Sequence, residues 1–544
     1  MKRSSGSGST LSYILIAAIF SAVGALASHF YFTHKNPSDL NEVLNLIDRN
    51  YVDSVDVQKL QRNMIPYLLE QLDPHSVFLS KADNAEEAAT LSGGFCGIGV
   101  SFNTLLDTIV VTQIVPGGPS DRAGIRAGDR LLQAGSQKLY GKGVDMNTID
   151  DVLRGEKGSV VNILIRRNGK ESVHRVVRDD VPLPSLNAFY LIEPSIAYVR
   201  IDSWTGTTHA EFIEALGRLR KKGATSLILD LRENRGGLLE PAIAMANEFL
   251  GKNLPILQIE GKAYPREEIS SDGKGILQQI PLVVLVDEFS ASSSEVFTGA
   301  MQDHDRAQII GRRTFGKGLV QLPFDLADGS AIRLTVARYY TPSGRSIQKP
   351  YSSGVDENYY QDLRNRFNHG ELYSADSIPS LGGKIFKTAG GREVYGGGGI
   401  IPDIFIPLDT AGLNSYMMKV EDSDLIPRYA FLYSDANRVS LSRFKTVEEL
   451  GAYLDRTYLI FDFASFAQRY GIPMRTSLIN EARNRIKKYI NAYIAMNFFD
   501  LQGYYQLLLH DDPFILQAIS LIKEGKTFPL IYDQKGTQST DPAA

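Results

Sequence analysis

Apolar residues recur along the chain at two spacings, and the switches between them divide it. Leu40, Val43, Leu44 and Ile47 follow a helical period, as do Leu60, Met64, Leu68 and Leu69, so residues 37–84 are predicted to form a helical N-terminal region. From Gly93 to Val177 the texture changes to short β-branched runs, such as Ile109-Val110-Val111, separated by Gly/Pro turns. This predicts a small β-rich module over 85–178 with one longer helix at 148–153. Strand-like and helical runs then alternate at 196–201, 210–221, 226–231, 238–250, 282–286 and 295–302. Such alternation predicts βα units around a largely parallel sheet, in a core spanning 186–410. Residues 351–390 are polar and aperiodic and read as an insertion in that core. Residues 411–533 are predicted to be a helical domain, with Ile479, Ile486, Ile490, Tyr493 and Ile494 in helical register, and 534–544 a polar tail. The fold class expected is multidomain α/β.

The first ten residues are basic and Gly/Ser-rich, and Leu11 to Ala27 carries no charge. This pattern is an export signal, and Ala25-Leu26-Ala27 fits a small-residue cleavage site. Extended over 11–32, the apolar stretch is nearly long enough to span a bilayer and would anchor the chain if uncleaved. Lys2 and Arg3 favour the cytoplasmic side, which puts the rest of the chain on the periplasmic side of the cell envelope.

Composition narrows the chemistry. A chain of 544 residues implies roughly three or four domains. With 22% charged residues and a net charge of −4, it has no field suited to nucleic acid. The one cysteine, Cys96, forms no intramolecular disulfide, and the eight histidines show no HExxH or other ligand spacing, so neither metal nor cofactor is expected.

Four short motifs carry candidate chemistry. Gly97-Ile98-Gly99-Val100 enters a strand; such a turn can aim successive N–H groups at a terminal carboxylate, or serve as a tight turn only. Ser290-Ala291-Ser292-Ser293-Ser294-Glu295 follows a strand and opens a helix, where the N–H groups and the dipole favour developing negative charge. Ser292-x-x-Glu295 also fits a capping box. In Gly316-Lys317-Gly318-Leu319-Val320-Gln321, an extended backbone puts Lys317 and Gln321 on one face, so the amide can orient the amine. A lysine serves as general base only when neutral, which requires burial or a nearby positive charge. The glycines of Arg232-Glu233-Asn234-Arg235-Gly236-Gly237 would let a backbone N–H face a reaction centre, or simply make a βα turn. Gly311 to Lys317 imitates a Walker A loop, but Gly318 stands where its Ser or Thr belongs.

Together with Leu72-Asp73-Pro74-His75-Ser76, Val115-Pro116-Gly117-Gly118-Pro119, Thr341-Pro342-Ser343-Gly344 and Gly398-Gly399-Ile400-x-Pro402-Asp403, these motifs resemble, over about 39–407, the carboxy-terminal processing (tail-specific) serine peptidases. The resemblance implies a bacterial PDZ domain followed by a peptidase core with crotonase/Clp-like βα units. It also implies Ser292 as nucleophile, Lys317 as general base, Gln321 as its orienting residue, and the N–H groups of Gly236 and Ser293 as oxyanion donors. Peptide binding would fall to Gly97, Ile98, Gly99 and Val100, with partners being proteins or peptides that have apolar C-termini. A non-catalytic PDZ scaffold on an inactive core is the alternative. His75 and His304 are expected to be structural, and the C-terminal helices are open to roles as oligomer or adaptor surfaces.

Overall fold

The computed structural model describes residues 39–527 apart from 106–107, 142–145, 355–356 and 379–383. The expected signal segment and the polar tail lie outside the described residues. No helix among the described residues is long and apolar enough to cross a membrane.

Residues 39–72 belong to one compact unit. They form the helices Asp39–Asn50 and Val57–Glu70, the second capped by Asp56, whose carboxylate accepts the Lys59 N–H at 3.0 Å. The rest of the described chain belongs to a second unit beginning at Asp73. There the strand Val77–Leu79 is followed by a third helix, Lys81–Ser92, which runs past the boundary expected at 84.

The β-rich module is an antiparallel sheet in the order Val100–Leu105, Thr108–Ile114, Arg130–Ala134, Val160–Arg167, Lys170–Val177. Ile98, Ile109, Val111, Leu131, Ile163 and Val176 fill its core. The helix Met146–Leu153 supplies Ile149 and Leu153. The chain enters and leaves it through a two-stranded stalk, Gly94–Gly97 against Asp179–Pro182. Arg130 ties the module to the C-terminal helices through Asp435 at 2.7 Å.

The peptidase-like core is built on a sheet in the order Leu186–Glu193, Ile196–Ile201, Ser226–Asp230, Leu282–Val286, Gln308–Gly311, Ile404–Phe405. All neighbours but the first pair run parallel. Its central strands are buried along their whole length because both faces are covered. On one face lie the helices Thr208–Lys221, Leu239–Phe249 and Ser293–Asp303, contributing Phe212, Met245, Phe249 and Phe297. On the other, Phe514, Ile515, Ala518 and Leu521 of the helix Pro513–Lys523 pack against Ile228, Val283, Leu285 and Ile310. The C-terminal region is therefore not one helical body. The helices from Ser415 to about Leu508 enclose their own core, while the last helix completes the sheet.

A second sheet pairs Leu319–Asp325 with Ala331–Tyr340, to which Val77–Leu79 and Pro255–Glu260 also add. The 351–390 segment is no excursion from the core, contrary to its sequence texture. It carries the helix Glu357–Asn368, and Arg366 shares buried Glu371 with Arg313 at 2.8 and 2.7 Å. The helix docks through a charged network and Tyr359, so it shows no apolar period.

Candidate active site

Strand Leu282–Val286 delivers the chain to Asp287, whose Oδ1 accepts the N–H groups of Glu233, Phe289 and Ser290 at 2.9 to 3.1 Å. The tight turn that results places Ser292 immediately before the helix Ser293–Asp303, with φ +55. Ser292 and Glu295 form a capping box at this helix start, the Ser292 side chain facing the Glu295 N–H and the Glu295 carboxylate accepting the Ser292 N–H at 2.9 Å. The Glu295 N–H also donates to the Ser292 carbonyl at 2.8 Å.

Glu295 also ties the Ser292 turn to the Lys317 loop. Its Oε1 accepts Thr314 Oγ1 at 2.5 Å and the Gly316 N–H at 2.7 Å, and its Oε2 accepts the Lys317 N–H at 2.8 Å. Burial pushes this carboxyl up to about 7, against the donors that hold it down. The same bonds dispose of the Walker A resemblance, because the loop amides that would cradle a phosphate already face a carboxylate.

Lys317, two residues ahead of the strand Leu319–Asp325, donates from Nζ to Gln321 Oε1 at 2.8 Å. Gln321 Nε2 donates in turn to the His75 carbonyl at 2.6 Å, which fixes the amide's orientation. Burial, with Arg333 next in effect, lowers the Lys317 amine to about 8. Tyr339 clamps both loops from below, donating to the Ser292 carbonyl at 3.1 Å and the Lys317 carbonyl at 2.5 Å. Ser292 and Lys317 open onto one cavity of about 560 Å³, with Leu238, Val296, Leu319 and Val320 among its apolar lining.

The turn after strand Ser226–Asp230 closes the site from the other side. A Cβ on Gly236 would lie 2.7 Å from Ser292 Cβ, so only glycine fits there. The Gly236 N–H donates to Asn234 Oδ1 at 2.9 Å and does not face the cavity as an open donor. Here the geometry departs from the expected pair. Among the described residues the N–H groups of Gly237 and Ser293 donate to no protein acceptor. Asn234, fully buried, sets this arrangement: its Nδ2 donates to the Ile201 carbonyl at 3.0 Å, and its own carbonyl accepts the Ala291 N–H at 3.0 Å.

The histidines divide. His304 Nε2 donates to the Pro255 carbonyl at 2.6 Å, away from the cavity lining, whereas His75 enters the site through its backbone. Asn234, Tyr339 and the His75 carbonyl escaped the sequence reading because backbone and long-range partners leave no local spacing. Glu295 was legible only as a cap.

In the β-rich module, Gly99 takes φ +71 and Ile98 is buried in the module's own core, not in an open pocket. Among the described residues the N–H groups of Ile98 and Gly99 have no protein acceptor, and Val100–Leu105 is the edge strand of its sheet. No cluster of His, Cys, Asp and Glu suited to a metal occurs among the described residues.

Residues 195–360 match the model of peptidase family S41, 110–167 that of the PDZ domain, and 416–500 that of a family of unknown function. A probable CtpA-like serine protease of Staphylococcus aureus (strain COL) is 32% identical over 362 residues, 64% of this chain and 72% of the relative. A probable CtpA-like serine protease of Staphylococcus epidermidis is 32% identical over 57% of this chain and 63% of the relative. Among solved structures, a photosystem II D1 C-terminal processing protease is 31% identical, covering 58% of this chain and 90% of that one with a TM-score of 0.31. The chain therefore belongs to the CtpA-like, carboxy-terminal processing family of serine peptidases, with an S41 peptidase core and a PDZ domain.

Proposed function

We propose that this protease is an endopeptidase that works through a Ser292/Lys317 pair and captures the C-terminal tails of envelope proteins on its PDZ domain. The carrying observation is a lysine amine lowered to about 8, oriented by Gln321, on the same cavity as the Ser292 side chain at a helix N-terminus. The two groups are not hydrogen-bonded to each other; such contacts commonly tighten when substrate binds.

Neutral Lys317 takes the proton from Ser292 Oγ as that oxygen attacks the scissile carbonyl carbon. The resulting oxyanion lies against the N–H groups of Ser293 and Gly237, with Gly236 supplying a third only if Asn234 turns away. Collapse breaks the C–N bond, the Lys317 ammonium protonates the leaving amine, and an acyl-enzyme remains. Water, deprotonated by Lys317 in turn, releases the acyl group. The substrate's tail adds as a strand along Val100–Leu105 with its carboxylate at the Ile98 and Gly99 amides. The export signal in 11–32 supports action on the periplasmic side.

The test is cleavage of an unfolded protein with an apolar C-terminus. Ser292→Ala and Lys317→Ala should each abolish it with the fold intact, and retained turnover in either refutes the pair. Replacing the last two residues of that substrate by Asp should raise KM about tenfold at unchanged kcat. The reading as an inactive binding scaffold requires the wild type to bind that tail and leave the chain uncut.

A further inference from the structure

The C-terminal helices do more than cover the back of the sheet. The helix Arg483–Leu508 breaks at Phe499 and Asp500, and the last helix starts again at Asp512. Asp512 Oδ1 caps that helix, accepting the N–H groups of Phe514 and Ile515 at 2.9 and 3.2 Å. Its other oxygen accepts Arg232 Nη1 at 2.9 Å. The Phe514 ring lies 4.5 Å from the Arg232 guanidinium and 5.4 Å from that of Arg312, and the Tyr505 ring lies 4.7 Å from that of Arg200.

Each of these arginines holds part of a catalytic turn. Arg232 opens the turn that carries Asn234, Gly236 and Gly237, and grips buried Asp230 through Nε and Nη2 at 3.0 and 2.6 Å. Arg200 shares Asp230 at 3.4 Å and pairs with Glu233 at 2.7 Å. Arg312 pairs with Glu288, in the turn that leads to Ser292, at 2.6 Å.

We infer that Asp512 is a positioning residue for the oxyanion turn, acting through Arg232; the inference rests on the Ser292/Lys317 reading. Arg232 is buried, and its Nη1 edge has Asp512 as its carboxylate partner. Without that partner two buried guanidiniums compete for Asp230, and Arg232 relaxes toward water, taking the head of the turn with it. A shift of a few tenths of an ångström at Gly237 weakens bonds to the developing oxyanion and leaves ground-state binding in place.

Asp512→Asn tests this in the full-length protein, because asparagine caps a helix as well as aspartate and only the charge is lost. The expected result is a kcat per folded molecule lower by about tenfold with KM within about twofold, alongside a lower melting temperature from the broken buried pair. Affinity for a peptide boronate, whose tetrahedral oxygen occupies the oxyanion position, falls by the same factor, while affinity for the product peptide is unchanged. A purely structural Asp512 would leave kcat per folded molecule and boronate affinity alone, and either of those results overturns the inference. Should Asp512→Asn fail to fold, Phe514→Leu decides: it removes the ring beside Arg232 and Arg312, and wild-type kcat and boronate affinity in it count against the inference. Ser292→Ala, run alongside, separates the two claims. Turnover by Ser292→Ala sinks the pair itself, whereas an inert Ser292→Ala beside a wild-type-like Asp512→Asn sinks only this inference.

Discussion

Replacing Lys317 by Met, which keeps the length of the side chain and removes its charge, separates what the amine does for catalysis from what it costs the fold. Burial lowers the amine from 10.5 to about 8. At about 1.4 kcal/mol for each tenfold change in proton affinity, holding the ammonium in place opposes folding by about 3 kcal/mol. Solvent reaches the half-buried side chain through the cavity and screens it, so about 2 kcal/mol is the better figure. Methionine relieves that cost and leaves Gln321 Oε1 without its donor, a loss of about 1 kcal/mol. Below about pH 8 the lysine is charged in both folded and unfolded chains, so the variant's net gain of about 1 kcal/mol is fully present there. Between about 8 and 10.5 the folded amine is neutral while the unfolded one is still charged, so the wild type gains stability as pH rises. Above that window the variant is the less stable of the two by the unpaired amide. Trp204, the chain's one tryptophan, is buried against the helix Ser293–Asp303 and donates to Ser294 Oγ at 2.9 Å, so its fluorescence in urea reports this core. Lys317→Met should be inactive, more stable than wild type at pH 7 and less stable at pH 11. A stability difference that stays flat over that range, or a variant already destabilised at pH 7, refutes the reasoning.

Ser294 accepts Trp204 Nε1 and donates to the Asn234 carbonyl at 3.2 Å, so Ser294→Ala should lower stability by about 2 kcal/mol in urea unfolding yet leave the folded fraction able to cleave. Complete loss of turnover in it would move the chemistry away from Ser292. Glu295→Gln brings an amide NH₂ against the donors that a carboxylate accepts, and should cost about 3 kcal/mol together with all turnover; a wild-type melting curve contradicts this.

The layout of the core was legible where local pattern and burial agree. Leu282–Val286 reads as a buried strand because both its faces are covered, and the pairing of Lys317 with Gln321 was legible in their spacing although the strand itself begins only at Leu319. What escaped is what tertiary partners decide. The polar run Glu357–Asn368 is ordered by Arg366 at a buried carboxylate and by Tyr359 beside His75, neither of which leaves a helical apolar stripe. The apolar residues of Pro513–Lys523 signal a buried helix, and nothing local says that the face it covers belongs to the peptidase sheet. The 232–237 turn was readable down to its glycines, but whether the Gly236 N–H stays open depends on the side-chain rotamer of Asn234.

Ser292 and Glu233 are both held in a backbone conformation that favours glycine, at φ +55 and φ +64. Each costs on the order of 1–3 kcal/mol and persists only where its surroundings over-determine it. Here two buried carboxylates do so, Glu295 at the Ser292 N–H and Asp287 at the Glu233 N–H. Burial raises both, Asp287 to about 6 and Glu295 to about 7. The folded chain therefore binds these protons before the unfolded chain does, and as pH falls from 7 toward 5 the two groups add to stability. Over the same interval Lys317, lowered to about 8, becomes ever more fully charged, and kcat/KM should fall by about a hundredfold. Asp230, held near 2 with Arg232 and Arg200 opposing its burial, adds no loss of stability until well below pH 5. Activity and stability should thus separate between pH 7 and 5, the first falling while the melting temperature of the Trp204 core holds or rises. If the two fall together, the loss of activity is unfolding and the strained turn is not held by these carboxylates.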